Sequence, residues 1–337
     1  MTNPENLYYL SGFTGSDGAL LVFGEGVALL TDFRYLEQAK EESPDCLLVD
    51  VHSSYVDALA KFLRENKISG LGLDGDHLRY KEYCSFMDKL ADISITEAGG
   101  LVEDLRLIKD NDEIRKIKTA ATIADRAFDE VLPIIKPGVT EREISLELEF
   151  SMKKLGAEDV AFQIIVASGV RGALPHGVAS GKALETGDLI TMDFGAVFQG
   201  YHSDITRTVV LGESTIKQAE IYRIVLEAQL KAVGTVRSGI KASEVDRAAR
   251  DIISGYGYGD CFGHGTGHGV GLNVHENPRL SKTGDTILKR GMTVTVEPGI
   301  YLPDWGGVRI EDTVVVDDNG CTVLTGCPKM KLINTLK

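Results

Sequence analysis

Basic residues are in short supply in this sequence. The 337 residues carry 36 Lys and Arg against 50 Asp and Glu, for a net charge of -14 and a pI near 5.0. Nucleic-acid binding needs clustered cations against phosphate, so that class of partner is excluded. Cysteine is sparse and unpatterned. Cys46, Cys84, Cys261, Cys321 and Cys327 form neither a CxxC pair nor an even framework, and read as reduced cytosolic thiols. No run approaches the roughly 18 apolar residues of a membrane span, so no membrane partner is expected. The opening residues, Met1-Thr2-Asn3-Pro4-Glu5-Asn6, have neither a basic nor an apolar signal region, and a cytoplasmic location is expected. What is there is ordinary globular composition, 43% hydrophobic and 26% charged, long enough for two domains at roughly 100–200 residues each.

Residues 1–104 alternate short apolar runs with helical patterns. Strands are expected at Ala19–Phe23, Val27–Leu30, Leu47–Val51, Gly70–Leu73 and Ile93–Thr96, and helices at Phe33–Glu42, Ser54–Asn66 and Leu78–Leu90. That order predicts a small α/β domain. It holds no cluster of His, Cys and acid at ligand spacing.

From residue 105 to 337 the pattern is α+β, and it is written twice. A helix opened by Lys109–Glu113 carries Ile114, Ile117, Ala121, Ala124, Phe128 and Leu132 on one face and ends at Pro137-Gly138. Thr140 and Glu143 form a capping box for the next helix. A second long helical pattern, Ile216 to Val236, is followed by a helix opened by Ser243 and Asp246. Gly138-Val139 recurs as Gly239-Ile240, an offset of 101 (239 − 138). The segment Gly187–Gly195 resembles Gly291–Gly299 at an offset of 104 (297 − 193), and Thr208-Val209-Val210 resembles Thr313-Val314-Val315. Three matches in one order predict a duplication packed about a pseudo-twofold axis, with a shared site between the halves.

The chemistry-bearing residues lie on that repeat. Asp193 ends an apolar run, and Asp204 follows Phe198-Gln199-Gly200, so the two acids are expected to face each other across a hairpin. Glu297 and Glu311 repeat the arrangement about Asp304. A lone acid pair is more often solvated surface. Two facing pairs at matching points of a repeat instead need a cation or proton between them. Three histidines, His264, His268 and His275, lie in the glycine-rich stretch 263–276, and His176 stands in Leu174-Pro175-His176-Gly177. The His264/His268 spacing matches a helical HExxH site, but the glutamate is missing and five glycines oppose a helix. Here the glycines are expected to permit close backbone approach to a ligand or metal. Four carboxylates and one imidazole suit two divalent cations, Mn(II), Fe(II), Co(II) or Zn(II). Metals roughly 3.5–4 Å apart activate water at neutral pH and clamp an oxyanion, which is the chemistry of hydrolysis.

From about Asp104 onward the chain resembles the pita-bread metallopeptidases, the family of methionine aminopeptidase, aminopeptidase P and prolidase. The family's five-ligand pattern falls on Asp193, Asp204, His268, Glu297 and Glu311 without substitution. The resemblance implies that Asp193 holds one metal, that His268 and Glu297 hold the other, and that Asp204 and Glu311 bridge, with Mn(II) the first choice. It implies that His176, His264 and His275 are catalytic, positioning peptide and stabilising the tetrahedral oxyanion. Arg309 resembles an arginine that orients a ligand or meets substrate carboxylate. The segments Tyr8–Gly18 and Thr31-Asp32-Phe33-Arg34-Tyr35 look most like Xaa-Pro aminopeptidases. The implied function is therefore metal-dependent cleavage before a proline at position two, with prolidase the alternative and a non-catalytic binding module a remote one. A homodimer is the implied assembly. Relatives usually have a helix and a strand before the segment matching 3–9, so either an unpaired sheet edge or a misplaced start is expected.

Overall fold

The computed structural model describes residues 1–24 and 26–336. The chain divides into two compact units, Met1–Arg106 and Leu107–Lys337. In the first unit, helix α1 (Pro4–Ser11) precedes a sheet of β1 (Ala19–Phe23), β2 (Gly26–Thr31) and β3 (Leu47–Asp50) in the order β1-β2-β3. A parallel pair, β4 (Gly70–Leu73) and β5 (Ser94–Glu97), is separate. Helices α2 (Leu36–Glu42), α3 (Tyr55–Glu65), α4 (Tyr80–Lys89) and α5 (Leu101–Arg106) complete it. Two elements, α1 and α5, go beyond the sequence expectation. Helix α1 follows ordinary capping rules: the Asn3 side chain accepts from the Asn6 N–H, Pro4 opens the first turn, and Gly12 closes it in the left-handed region. Strand β1 is an edge strand, and Met1 covers its start by exchanging backbone hydrogen bonds with Leu20. No helix among the described residues is long and apolar enough to cross a membrane.

In the second unit, α6 (Asn111–Val131) and α7 (Glu141–Lys154) are followed by β6 (Asp159–Val160), β7 (Ile165–Ser168), β8 (Leu189–Phe194), β9 (Ala196–Phe198), β10 (Tyr201–His202) and β11 (Ile205–Val210). Then come α8 (Ile216–Val233), α9 (Ala242–Gly255), β12 (Gly267–Gly269), β13 (Glu276–Leu280), β14 (Thr293–Val296), β15 (Gly299–Leu302), β16 (Gly306–Arg309), β17 (Asp312–Val316), β18 (Cys321–Val323) and β19 (Ile333–Asn334). The repeat is visible in the backbone hydrogen bonds. Gly138 donates to Leu184 as Gly239 donates to Leu288, and Glu141 donates to Lys182 as Ala242 donates to Thr286. Each half builds its own apolar core. Phe128, Ile144, Leu148, Met192 and Phe194 fill the first, and Ile221, Val245, Val294 and Val314 the second. Helix α9 opens differently from the expectation. Its first turn is Ala242–Val245, with the Glu244 carboxylate accepting from the Lys241 N–H at 3.2 Å, which frees Asp246 for another task.

The first acid hairpin has a different register from the one expected. Gln199 (φ 48°) and Gly200 (φ 74°) both lie in the left-handed region, as a two-residue type I′ turn requires. That turn pairs Phe198 with Tyr201 and carries the register back so that Asp193 faces Thr206. Asp204 is then a diagonal neighbour on the same face. The second hairpin keeps the expected pairing: Val296 lies opposite Asp312 and Gly299 opposite Arg309, which sets Glu297 against Glu311.

The β8–β9 segment bends at Gly195. A Cβ there would lie 1.9 Å from the Ser203 carbonyl oxygen, so only glycine fits. Gly195→Ala should destabilise the second unit by at least the roughly 1–3 kcal/mol of an overpacked core, read as a lower Tm. An unchanged Tm would contradict this close approach.

Candidate active site

The two acid hairpins lie side by side, residues 204–208 of one running antiparallel to residues 309–313 of the other. The Glu311 N–H donates to the Thr206 carbonyl, Arg309 and Thr208 exchange hydrogen bonds, and the Thr313 hydroxyl donates to the Asp204 carbonyl at 2.8 Å. This contact brings Asp193 and Asp204 beside Glu297 and Glu311 in the lining of a cavity of about 600 Å³. Asp204, His268 and Glu311 are buried, with ligand atoms all within 4.8 Å of one another.

His268 sits on β12 between two glycines. A Cβ on Gly267 would meet the Thr295 carbonyl at 2.0 Å, and one on Gly269 the Asn277 carbonyl at 2.0 Å. The glycines therefore serve strand-to-strand contact, where the sequence suggested approach to a ligand. The His268 Nδ1 hydrogen-bonds the Gly269 carbonyl at 3.0 Å, and a carbonyl can only accept, so Nδ1 carries the proton. The Nε2 atom faces acids, 3.5 Å from Asp204 Oδ2 and 3.3 Å from Glu297 Oε1. A second proton or a metal ion must lie between them.

The carboxylates give the same answer. Asp193 Oδ1 and Glu311 Oε1 are buried with no hydrogen-bond partner. Their other oxygens are held, Asp193 Oδ2 by Arg309 at 2.6 Å and Glu311 Oε2 by the Thr206 hydroxyl at 2.7 Å. Burial pushes Asp204 and Glu311 well above the carboxylate range, and each is raised further by the neighbouring acids. Asp193 is raised by burial in spite of Arg309. Burial also opposes ionisation of Glu297, but the hydrogen bond and charge of His268, with His264 and Arg309, outweigh it and hold the group at about 2. Unsatisfied buried carboxylate oxygens are costly, and oxygen ligands with one imidazole fit a divalent cation.

The histidines divide into two sets. His264 is engaged on both sides, Nδ1 to the Gly265 carbonyl at 2.7 Å and Nε2 to the Tyr301 hydroxyl at 2.8 Å. Arg309 donates to the same Tyr301 oxygen at 3.0 Å, so Arg309, Tyr301 and His264 form one chain that ends on Asp193. His176 and His275 are exposed and line the cavity. The His275 ring stands edge-on to His268, centroids 4.4 Å apart. Its ring is still partly desolvated against His268, and this, with the charges of His268 and Arg279, lowers His275 to about 4, so it is neutral at physiological pH.

Two helices steady the loops that bear these residues. Buried Glu141, on α7, accepts from the backbone and hydroxyls of Ser168 and Ser180 and pairs with Arg171, fixing the loop that carries His176. Asp246, on α9, accepts from Thr266 and pairs with Arg250, whose guanidinium also reaches the Phe262 and His264 carbonyls. The sequence reading missed Tyr301 and Thr206. Tyr301 had a signal, since Glu297, Gly299 and Tyr301 alternate onto one strand face, and a Cβ at Gly299 would collide with the tyrosine ring at 2.6 Å from its hydroxyl. Thr206 required the correct register.

Comparison with known proteins gives the family. Residues 115–318 match the model of metallopeptidase family M24, and residues 1–108 match the creatinase/prolidase N-terminal domain. A solved Xaa-Pro dipeptidase from Bacillus anthracis is 49% identical with a TM-score of 0.96, covering 98% of this chain and 93% of that one. An X-Pro aminopeptidase structure from Thermotoga maritima is 41% identical with a TM-score of 0.93, covering 98% and 92%. An Xaa-Pro dipeptidase of Pyrococcus furiosus is 45% identical over 326 residues, covering 96% of this chain and 92% of its own length. The chain belongs to metallopeptidase family M24, in the pita-bread branch that carries a creatinase/prolidase N-terminal domain.

Proposed function

We propose that this chain is a two-metal Xaa-Pro dipeptidase. The observation that carries the metal centre is the pair of buried, unpartnered oxygens on Asp193 and Glu311. Asp193 would hold one ion, His268 and Glu297 the other, with Asp204 and Glu311 bridging. Bound divalent ions of the Mn(II) type supply charge compensation and Lewis acidity for hydrolysis. Arg309 holds Asp193 in place, and the Tyr301–His264 chain fixes Arg309 in turn. His275, which is neutral, and His176, both open to the cavity, can donate to the oxyanion that develops on the scissile carbonyl. Phe162, Ile165, Pro175 and Val178 line the cavity and offer an apolar wall for a proline ring. An Xaa-Pro bond has no N–H, so recognition falls on that ring and on the substrate's charged ends.

The sequence motifs favoured an open-ended site for longer peptides, and the Thermotoga structure named as an X-Pro aminopeptidase keeps that reading alive. Two observations favour the dipeptide. The relatives from Bacillus anthracis and Pyrococcus furiosus are both named Xaa-Pro dipeptidases. The Arg279 side chain also lines the cavity with no hydrogen bond or ion pair among the described residues, whereas Arg309 is already paired with Asp193. A free guanidinium suits the prolyl carboxylate. Arg279→Ala should raise KM for Ala-Pro by about 10–100-fold, the worth of a hydrogen bond to a charged group, and barely alter cleavage of Ala-Pro-Ala amide. Higher kcat/KM on Ala-Pro-Ala than on Ala-Pro in the parent protein would make it an aminopeptidase.

A further inference from the structure

Behind the contact between the acid hairpins lies a second cluster of charge whose residues are not among those lining the cavity. Arg207, on β11, is 2% exposed and uses all five of its N–H donors. Nη1 donates to the Thr206 carbonyl at 3.0 Å and to the Glu311 carbonyl. Nε and Nη2 donate to the Cys327 carbonyl at 3.1 and 2.7 Å, and Nη2 also reaches Asp312 Oδ1 at 2.8 Å. Asp312 is buried and accepts from three further groups: Thr325 Oγ1 at 2.8 Å, Gln229 Nε2 at 2.8 Å and the Lys329 ammonium. Gln229 in turn accepts from Lys329 at 2.7 Å.

Residues 325–331 therefore run as a strap across the back of both hairpins. The strap is tied down independently of Arg207. The Gly326 and Cys327 N–H groups donate to the Asp125 carboxylate at 2.7 and 2.9 Å, and the Tyr222 hydroxyl donates to the Lys329 carbonyl at 2.8 Å.

Besides the Cys327 carbonyl, Arg207 grips those of Thr206 and Glu311. These are the two residues that share the single side-chain hydrogen bond on Glu311, and Asp204 lies two positions before Thr206. Arg207 thus fixes β11 against β17 at the place where the spacing between Asp204 and Glu311 is set. Lysine, with three donors at one point, cannot span four acceptors on three segments.

We propose that Arg207, Asp312 and Lys329 are positioning residues that make the C-terminal strap part of the metal site, setting its affinity by holding the Asp204 and Glu311 strands in register. The proposal rests on the two-metal reading above. Outer-shell partners of metal ligands typically contribute about 10–100-fold in metal affinity.

The test is Mn(II) titration of metal-stripped protein by calorimetry, for the parent and for Arg207→Lys, Lys329→Met and Lys329→Arg. Arg207→Lys and Lys329→Met should each weaken Mn(II) binding by about 10–100-fold while circular dichroism of the metal-free protein stays parental, and turnover should recover at saturating Mn(II). Lys329→Arg, which still pairs with Asp312, should bind like the parent. A purely structural role would instead lower Tm and leave Mn(II) affinity unchanged in the folded fraction. If Arg207→Lys does not fold, Lys329→Met decides, because Lys329 sits at the outer side of the cluster. Parental Mn(II) affinity in a folded Lys329→Met overturns the strap proposal alone. A parent that binds no Mn(II) overturns both the strap and the two-metal reading.

Discussion

Chelation should reduce peptide hydrolysis by this protein to background, and Mn(II) or Co(II) should restore it. The reason is electrostatic before it is catalytic. Four carboxylates converge with Arg309, paired to Asp193, as the buried counter-charge, and two buried oxygens find no donor among the described residues. Without cations the site has no Lewis acid for the oxyanion and no means of lowering the pKa of water. The side chains left to act, His275, His176 and Arg279, can orient and donate but cannot act as a Lewis acid on water. The measurement is hydrolysis of Ala-Pro after dialysis against a chelator, followed by readdition of each metal. Undiminished turnover by verified metal-free protein would contradict the mechanism.

Replacing Glu311 with glutamine should abolish activity and yet stabilise the metal-free protein. Burial, together with the charges of Glu297 and Asp193, raises the Glu311 carboxyl well above its ordinary 4.5. For an acid raised on folding, the native state binds the proton more tightly than the unfolded chain. The group's contribution to stability is therefore fully present below the unfolded value near 4.5 and is lost as pH rises through it toward the folded value. At pH 7 the metal-free parent bears that cost. Glutamine keeps an oxygen for the Thr206 hydroxyl and removes the charge. Metal-free Glu311→Gln should thus melt higher than the metal-free parent at pH 7, with the gap closing below about pH 4.5. Each kcal/mol relieved is worth roughly 2–4 °C in a unit of this size. Saturating Mn(II) should reverse the order, since only the parent gains full binding energy. A metal-free variant that melts lower than the parent at pH 7 would show that Glu311 is not held against a penalty.

Much of this was legible in the sequence, and the reasons for the exceptions are local. The repeat could be read because its glycines and apolar strands recur at fixed offsets, and the hydrogen bonds of Gly138 and Gly239 bear that out. The Glu297/Glu311 pairing could be read because a symmetric loop about Asp304 leaves one register. Asp193 and Asp204 misled because sequence spacing alone does not say which residues take the turn. Gln199 accepts a left-handed conformation that favours glycine or asparagine, and so its place in the turn was not signalled. The Asp246 role was hidden for another reason. An acid one turn into a helix looks like a cap, and only the fold shows that it instead holds Thr266 and Arg250 beside the histidine loop. Arg207 and Thr206 are polar residues inside a strand, and nothing in their spacing marks them. Their partners are about 100 residues away in the other half, Glu311 for Thr206 and Asp312 for Arg207.

Metal content reads the central claim most directly. Protein purified without chelator and reconstituted with Mn(II) should carry two equivalents per chain by elemental analysis. In Glu311→Ala, which removes a ligand assigned to both ions, occupancy should fall at both positions, toward one equivalent or fewer. Two full equivalents retained in folded Glu311→Ala would contradict the bridging assignment, and a parent that takes up none would contradict the metal centre itself.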